Sequence, residues 1–322
     1  MSGKHDRTSS GSADASPPLV LGDATVRRVV EWVGPVAPAQ ALFPDTPPRA
    51  WQELDEAEGA HHWRQDGGEW RGAMQTWVVR TPEHLVIVDT GVGNDRDRPQ
   101  APRMAGWSTP FLERLAAAGV RPSDVDVVIN THIHYDHVGW NTHLVEGRWV
   151  PTFPRARYLV PADDYEYFDP ANAHRMRPAK TEDERRRFEA SRLVFEDSIA
   201  PLAAAHELEL WRGSMQLADD LRLEQVGGHT PGSSVVWLDS GAGAVFVGDL
   251  LHTPLQISRP TDRVVFDLDE TAASVARRRI LERAAAEDRW VFPAHLAGPG
   301  GFRIAERGSA FEITEWAPFL PV

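Results

Sequence analysis

The feature that most constrains this chain is Thr131-His132-Ile133-His134-Tyr135-Asp136-His137, which follows directly on the apolar run Val125-Asp126-Val127-Val128-Ile129-Asn130. A short β-branched run of this kind reads as a buried strand that delivers its last residues to a sheet edge. Side chains two apart on an extended backbone share a face, so His132 and His134 can meet one metal ion. Once the chain turns, Asp136 and His137 diverge and can serve a second. A lone histidine at a strand end is ordinarily satisfied by hydrogen bonds in a core or on a surface. Donors gathered at this spacing need a cation or an extensive hydrogen-bond network to offset their desolvation.

The ligands available are limited by composition. The 322-residue chain has no cysteine, so imidazole and carboxylate must hold any ion, which suits zinc and also manganese, iron or cobalt. Its net charge of −13 argues against nucleic acid as a partner, because phosphate binding needs basic patches. The triplets Arg185-Arg186-Arg187 and Arg277-Arg278-Arg279 lie among acids in helical segments and read as solvated helix faces. No apolar run reaches bilayer length, and Met1 to Pro18 is polar, without a signal-peptide core. A disordered tail over 1–18, a domain over 19–322 and a cytoplasmic location are expected, with a small molecule as partner and a homodimer left open.

Taken in order, Ala24 to Val33 reads as a first strand and Pro35 to Pro48 as a proline-rich connection. Trp70 to Arg80 and His84 to Asp89 form a hairpin. Thr109 is placed to cap a helix that begins at Pro110, carries Phe111, Leu112 and Leu115, and stops at Gly119. The charged segment Asp163 to Leu202 is helical in period and fits an excursion packed over the site, or an ordinary surface pair. In the second half, predicted strands precede His229, Asp249 and His295. Trp140, Trp149 and Phe153 follow the histidine motif closely and are candidates for an apolar pocket wall.

With these residues in view, the chain resembles the metallo-β-lactamase fold superfamily from about Ala24 to Thr314. The resemblance implies an α/β fold, a four-layer αββα sandwich of two mixed β-sheets flanked by helices. It also implies a two-metal site, with His132, His134 and His229 on the first ion and Asp136, His137 and His295 on the second. Asp249 would bridge them, and Asp89 would support the site by hydrogen bonding to a ligand. Two divalent ions about 3.5–4 Å apart can share a water and bring its hydroxide within reach at neutral pH. Asp136 can both ligate and orient that hydroxide.

Within the superfamily, Asp249 departs from classical β-lactamases, which commonly lack a bridging aspartate. His134 departs from the di-iron flavin-partnered members, which carry glutamate there. Many acyl-homoserine lactonases have tyrosine three residues past the bridging aspartate; this chain has His252, which looks more like the methyl parathion hydrolase branch. His252 could donate a proton to the leaving group or serve a structural role. The expectation is a hydrolase for a small hydrophobic ester or lactone. A phosphotriester hydrolase and a non-catalytic metal-binding scaffold are the alternatives.

Overall fold

The computed structural model describes residues 16–175 and 181–322. Of the tail expected over 1–18, residues 1–15 lie outside the described residues. Ser16 is tied down, its Oγ accepting the Leu320 N–H at 2.8 Å. The strands of the first half are β1 (Leu19–Leu21), β2 (Ala24–Pro38), β3 (Trp63–Arg64), β4 (Glu69–Arg80), β5 (Leu85–Val88), β6 (Val127–Ile129), β7 (Thr142–Val145), β8 (Arg148–Pro151), β9 (Arg157–Pro161) and β10 (Leu208–Trp211). Those of the second half are β11 (Ser214–Ala218), β12 (Leu221–Gln225), β13 (Ser234–Leu238), β14 (Ala244–Gly248), β15 (Trp290–Pro293), β16 (Phe302–Arg307) and β17 (Ala310–Trp316).

One sheet runs β1-β2-β4-β5-β6-β9-β10 with β3 on β4, the other runs β11 through β17 in order, and β7 and β8 form a separate ribbon. Both large sheets are mixed. β5, β6, β9 and β10 pair in parallel within the first, and β14 with β15 in the second, while the other pairs are antiparallel.

Strand periodicity explains the layering. In β5, Val86 and Val88 face the second sheet, while Leu85 and Ile87 face the helix Phe111–Ala117 through Phe111 and Leu115. In β13, Val236 and Leu238 face the first sheet, while Val235 and Trp237 share a cluster with Ile280 and Leu281 of the helix Glu270–Ala286. Strands buried on both faces read as near-continuous apolar runs, as β5 does throughout and β13 does after Ser234. Phe246 and Phe292, fully buried and 5.2 Å apart between the sheets, each contribute about 1.5–3 kcal/mol of transfer free energy. The result is the four-layer αββα sandwich of the α/β class.

Several local expectations are corrected. β2 continues through Pro35 to Pro38, where the prolines predict the start of a connection. Proline is tolerated there because short β1 pairs β2 only as far as Val26, leaving the later residues bonded to β4 alone. Thr109 does not cap the helix that follows; its hydroxyl goes to Glu31 and Asn94. Arg277 is buried rather than solvated, because the 3.6-residue period turns one of three consecutive arginines inward.

The excursion over 163–202 holds the helices Ala162–Phe168, Glu182–Ser198 and Ala200–Ala204. The C-terminal end of the long helix is anchored by Asp197, which lies 2.7 Å from both Arg96 Nη1 and Arg98 Nη1. No helix among the described residues is long and apolar enough to cross a membrane.

Candidate metal centre

Strand pairing assembles the site from both halves of the chain. The parallel register sets Val88 beside Ile129, so Asp89 arrives next to the start of the histidine motif. Gly248 pairs with Pro293, so Asp249 emerges beside His295. Gly248 has φ +50°, and a Cβ there would lie 2.7 Å from Thr131 Oγ1; glycine lets the two halves approach. The His229 loop is pinned to the start of the helix Glu270–Ala286 by Leu268 N–H donating to His229 O at 3.1 Å.

Two groups of donors converge. His132, His134, His229 and Asp249 form one, and Asp136, His137 and His295 the other, the donor atoms of each lying within 4.8 Å of one another. Asp249 divides its carboxylate between them. Its Oδ1 is 3.1 Å from both His137 Nε2 and His295 Nε2, and its Oδ2 is 3.2 Å from His229 Nε2 and 3.8 Å from His132 Nε2. Asp136 Oδ2 is 3.6 Å from His295 Nε2.

Four of the five ligand imidazoles commit their outward ring nitrogen elsewhere. His295 Nδ1 donates to Ala73 O at 3.0 Å, His137 Nδ1 to Asp89 Oδ2 at 2.9 Å, and His229 Nδ1 to Asp267 Oδ1 at 2.9 Å. His132 Nδ1 donates to Thr131 Oγ1 at 3.1 Å, and that hydroxyl donates to Asp89 Oδ2 at 2.8 Å. A carbonyl can only accept, so neutral His295 carries its proton on Nδ1 and turns a lone pair inward. Its Nε2 nevertheless lies 3.0 Å from His137 Nε2, and Asp249 Oδ1 is buried with no hydrogen-bond partner. Inward lone pairs and an unpartnered carboxylate oxygen fit a cation at this place.

The ligand imidazoles differ in their electrostatics, and Asp249 favours the protonated form of His137 and His295 against the cost of burial. Burial holds His132 and His134 well below the ordinary imidazole value, reinforced by neighbouring imidazoles. Burial opposes protonation of His229 too, but hydrogen bonds to Asp249 and Asp267 outweigh it and push the value up to about 9. Asp249 is penalised by burial, yet His137, His295 and His252 hold it well below the usual carboxylate range.

Asp89 occupies the left-handed region at φ 57°, an uncommon conformation held here by the hydrogen bonds of its carboxylate. Its Oδ1 takes the Thr131 N–H at 2.8 Å while Oδ2 holds His137 and the Thr131 hydroxyl. His252 is buried between Phe43 and Trp70; its Nε2 is 3.2 Å from Asp249 Oδ2, and neither ring nitrogen has a hydrogen-bond partner.

The donors floor a cavity of about 1110 Å³. The aromatic wall expected from Trp140, Trp149 and Phe153 is not there. Trp140 stacks on Phe111 at 5.2 Å and donates to Glu31 Oε1 at 2.8 Å, Trp149 lies under Arg96, and Phe153 is fully buried beside Tyr158. The motif turns these side chains away from the cavity, into the layers behind it. Trp32, Trp70, Trp107, Tyr135, Phe168 and Phe266 line the cavity instead, joined by Phe188 and Val194 of the excursion. Burial, with Asp136 and Asp249 nearby, holds the Tyr135 phenol well above its ordinary value, so it stays protonated.

Sequence reasoning missed three buried acids that shape the site. Asp267 orients His229. Asp164 accepts the N–H groups of Ile133 at 2.9 Å and Gly232 at 2.5 Å, binding two ligand-bearing loops together. Glu31 accepts the Val92 N–H at 2.6 Å and fixes the turn after Asp89. Nothing in their local sequence marks any of them among 47 acids.

The model of the metallo-beta-lactamase superfamily matches residues 71–295, more than half of the chain. The chain belongs to the metallo-β-lactamase superfamily. Among solved structures of this fold, AbOPH, described as a hydrolase in the beta lactamase superfamily, aligns with a TM-score of 0.76 and 22% identity over 96% of this chain and 97% of that one. AidC, described as a dizinc quorum-quenching lactonase in complex with the product N-hexanoyl-L-homoserine, aligns with a TM-score of 0.74 and 21% identity over 94% and 98%. At these identities the likeness is one of fold. The hydroxyacylglutathione hydrolase of Aeromonas hydrophila is 33% identical over 98 residues, covering 30% of this chain and 28% of that protein. Metallo-beta-lactamase domain-containing protein 1 of Rattus norvegicus is 35% identical over 92 residues, 29% of this chain and 28% of that protein. These matches span little more than a quarter of the curated relatives.

Proposed function

We propose that this protein is a metal-dependent hydrolase that cleaves a small, hydrophobic ester or lactone with two divalent ions, zinc in the first instance. The observation that carries this reading is the divided carboxylate of Asp249, Oδ1 toward His137 and His295 and Oδ2 toward His229 and His132, on the floor of an apolar cavity. His132, His134 and His229 would hold the first ion, Asp136, His137 and His295 the second, with Asp249 shared. When bound, such ions supply an activated water at neutral pH and an electrophile for the substrate's carbonyl oxygen.

The chain's own residues do the rest. Asp89, Asp267 and Ala73 O hold the imidazoles in the tautomer that presents Nε2 inward. The aromatic walls bind the apolar part of the substrate and limit water at the reacting bond. His252 opens on the same cavity with an unpartnered ring, placed to hydrogen bond the leaving oxygen. That imidazole, where lactonases commonly have tyrosine, keeps phosphotriesters as the second reading.

The test is a panel of esters, lactones, phosphotriesters, β-lactams and nucleic-acid phosphodiesters, run with metal-loaded and chelator-stripped protein. Metal-dependent turnover of esters or lactones is expected. Turnover confined to β-lactams or phosphodiesters overturns the substrate class, and metal binding without turnover of any member leaves a metal-binding scaffold.

A further inference from the structure

The backbone around His295 is held from the opposite sheet. The Ala73 N–H donates to His295 O at 3.0 Å, and Gln75 Nε2 and Trp77 Nε1 donate to Pro293 O at 2.9 and 3.1 Å. Arg28 donates to Leu296 O from Nη2 at 2.8 Å, to Gly298 O from Nη1 at 2.5 Å, and to Gln75 Oε1 from Nε at 2.6 Å. All these donors belong to β2 and β4 of the first sheet, whereas His295 follows β15 of the second. Arg28 joins the bonds together, gripping the chain after His295 directly and the chain before it through Gln75.

The loop is shaped to the guanidinium. Gly300 has φ +80°, and a Cβ there would lie 2.6 Å from Arg28 Cζ, an approach that glycine allows. Desolvation pushes the Arg28 pKa down to about 9, so the group remains charged at neutral pH. Its bonds end on an amide and two carbonyls rather than on a carboxylate. The ring of His295 depends on this backbone more than other ligands do on theirs. His137 and His229 are oriented by the carboxylates of Asp89 and Asp267, while the His295 ring donates to Ala73 O.

We infer that Arg28 is a positioning residue for the second ion, fixing the backbone on both sides of His295 so that the ring meets Asp136 and His137. It touches neither ion nor substrate. The inference rests on the proposed two-ion reading and deepens it, because the bonds of Arg28 go to none of His132, His134 and His229, and the two ion sites then differ in what they need. The sign of the effect separates this role from that of a bystander charge. A guanidinium repels a divalent ion, so its removal strengthens metal binding if charge alone matters. Loss of positioning weakens it, at one site.

The experiment titrates zinc into the full metal-free chain against a chromophoric chelator, with elemental analysis for stoichiometry and urea unfolding as the check of the fold. The wild type is expected to take up two ions. Arg28→Met, which keeps the stem and removes the fork, is expected to hold one ion within about twofold of wild type and the other roughly 10- to 100-fold more weakly, as loss of a ligand's support does elsewhere. Gln75→Met, which cuts only the link to Pro293, is expected to show a smaller loss of the same kind, and it decides by the same criteria if Arg28→Met does not fold. In a His295→Ala background, Arg28→Met is expected to add nothing, since the ligand it places is gone. Tighter or unchanged binding of the weaker ion in Arg28→Met, equal weakening of both ions, or a full further loss in the His295→Ala background each overturns the assignment. A wild type that takes up a single ion overturns the two-ion reading and this assignment with it.

Discussion

His229 Nδ1 lies 2.9 Å from Asp267 Oδ1, with both side chains buried. The other oxygen of that carboxylate lies 3.5 Å from Arg277 Nη2. Arg277 is itself fixed by carbonyls, donating to Leu250 O at 2.5 Å, Pro260 O at 3.0 Å and Asp262 O at 3.0 Å. One arginine thus connects the orienter of His229 to the residue that follows Asp249. The helix Glu270–Ala286 that carries Arg277 thereby fixes two ligands that reach the site on separate loops.

Asp267→Asn keeps an oxygen for the Nδ1–H but removes the charge that balances Arg277. It is expected to weaken metal binding roughly 10- to 100-fold, as loss of a ligand's hydrogen-bond partner does in other metal sites. Competition with a chromophoric chelator reads this directly. Unaltered affinity in a folded variant would show that the carboxylate does not set the ligand's tautomer.

His252→Phe preserves shape among Phe43 and Trp70 and removes both ring nitrogens. It is expected to retain bound metal, measured by elemental analysis, while kcat/KM on an ester or lactone falls about 10²-fold. Full turnover would reduce His252 to a packing residue. Loss of metal instead would make it a ligand.

Much of this site was legible in the sequence because ligands must meet, and each sits where a strand ends. The spacing of His132 to His137 pointed to a metal, and the order of His229, Asp249 and His295 pointed to a family. Adjacency in sequence was a poor guide to the cavity wall. Trp140 follows the motif by a few residues, yet the turn that aims His137 at the centre aims Trp140 at Phe111 and Glu31. Asp164, Asp267 and Glu31 could not be picked out, since a buried acid is defined by donors from distant segments. Arg277 was misjudged for the same reason, its partners being carbonyls invisible to charge counting.

Removal of metal should abolish turnover, and re-addition of zinc should restore it. Asp249→Asn is expected to lower both metal content and kcat/KM more than His132→Ala, because Asp249 alone faces both ligand groups. Elemental analysis beside a turnover assay decides this. Full activity in stripped protein would sink the two-ion mechanism.

His62 gives the chain an acid sensitivity away from the metal-binding residues. Burial, then the positive charges of His61, Arg28 and Arg71, push its pKa from 6.5 down to about 3. Its ring stacks on Trp316 at 5.9 Å, and Nε2 is buried without a partner. The folded protein therefore keeps His62 neutral where the unfolded chain takes up a proton. Below pH 6.5 the unfolded state binds more protons, so this group's contribution falls as pH drops, until the folded value near 3 is passed. At about 1.4 kcal/mol per pH unit, the loss between pH 6.5 and 4.5 is about 2–3 kcal/mol. His62→Phe keeps the stack and cannot titrate. In urea unfolding of metal-free protein, the variant's stability relative to wild type should rise by roughly that amount from pH 7 to 4.5, since the other buried histidines are common to both proteins. A gap between the two proteins that does not change with pH would mean that His62 is not held neutral by the fold.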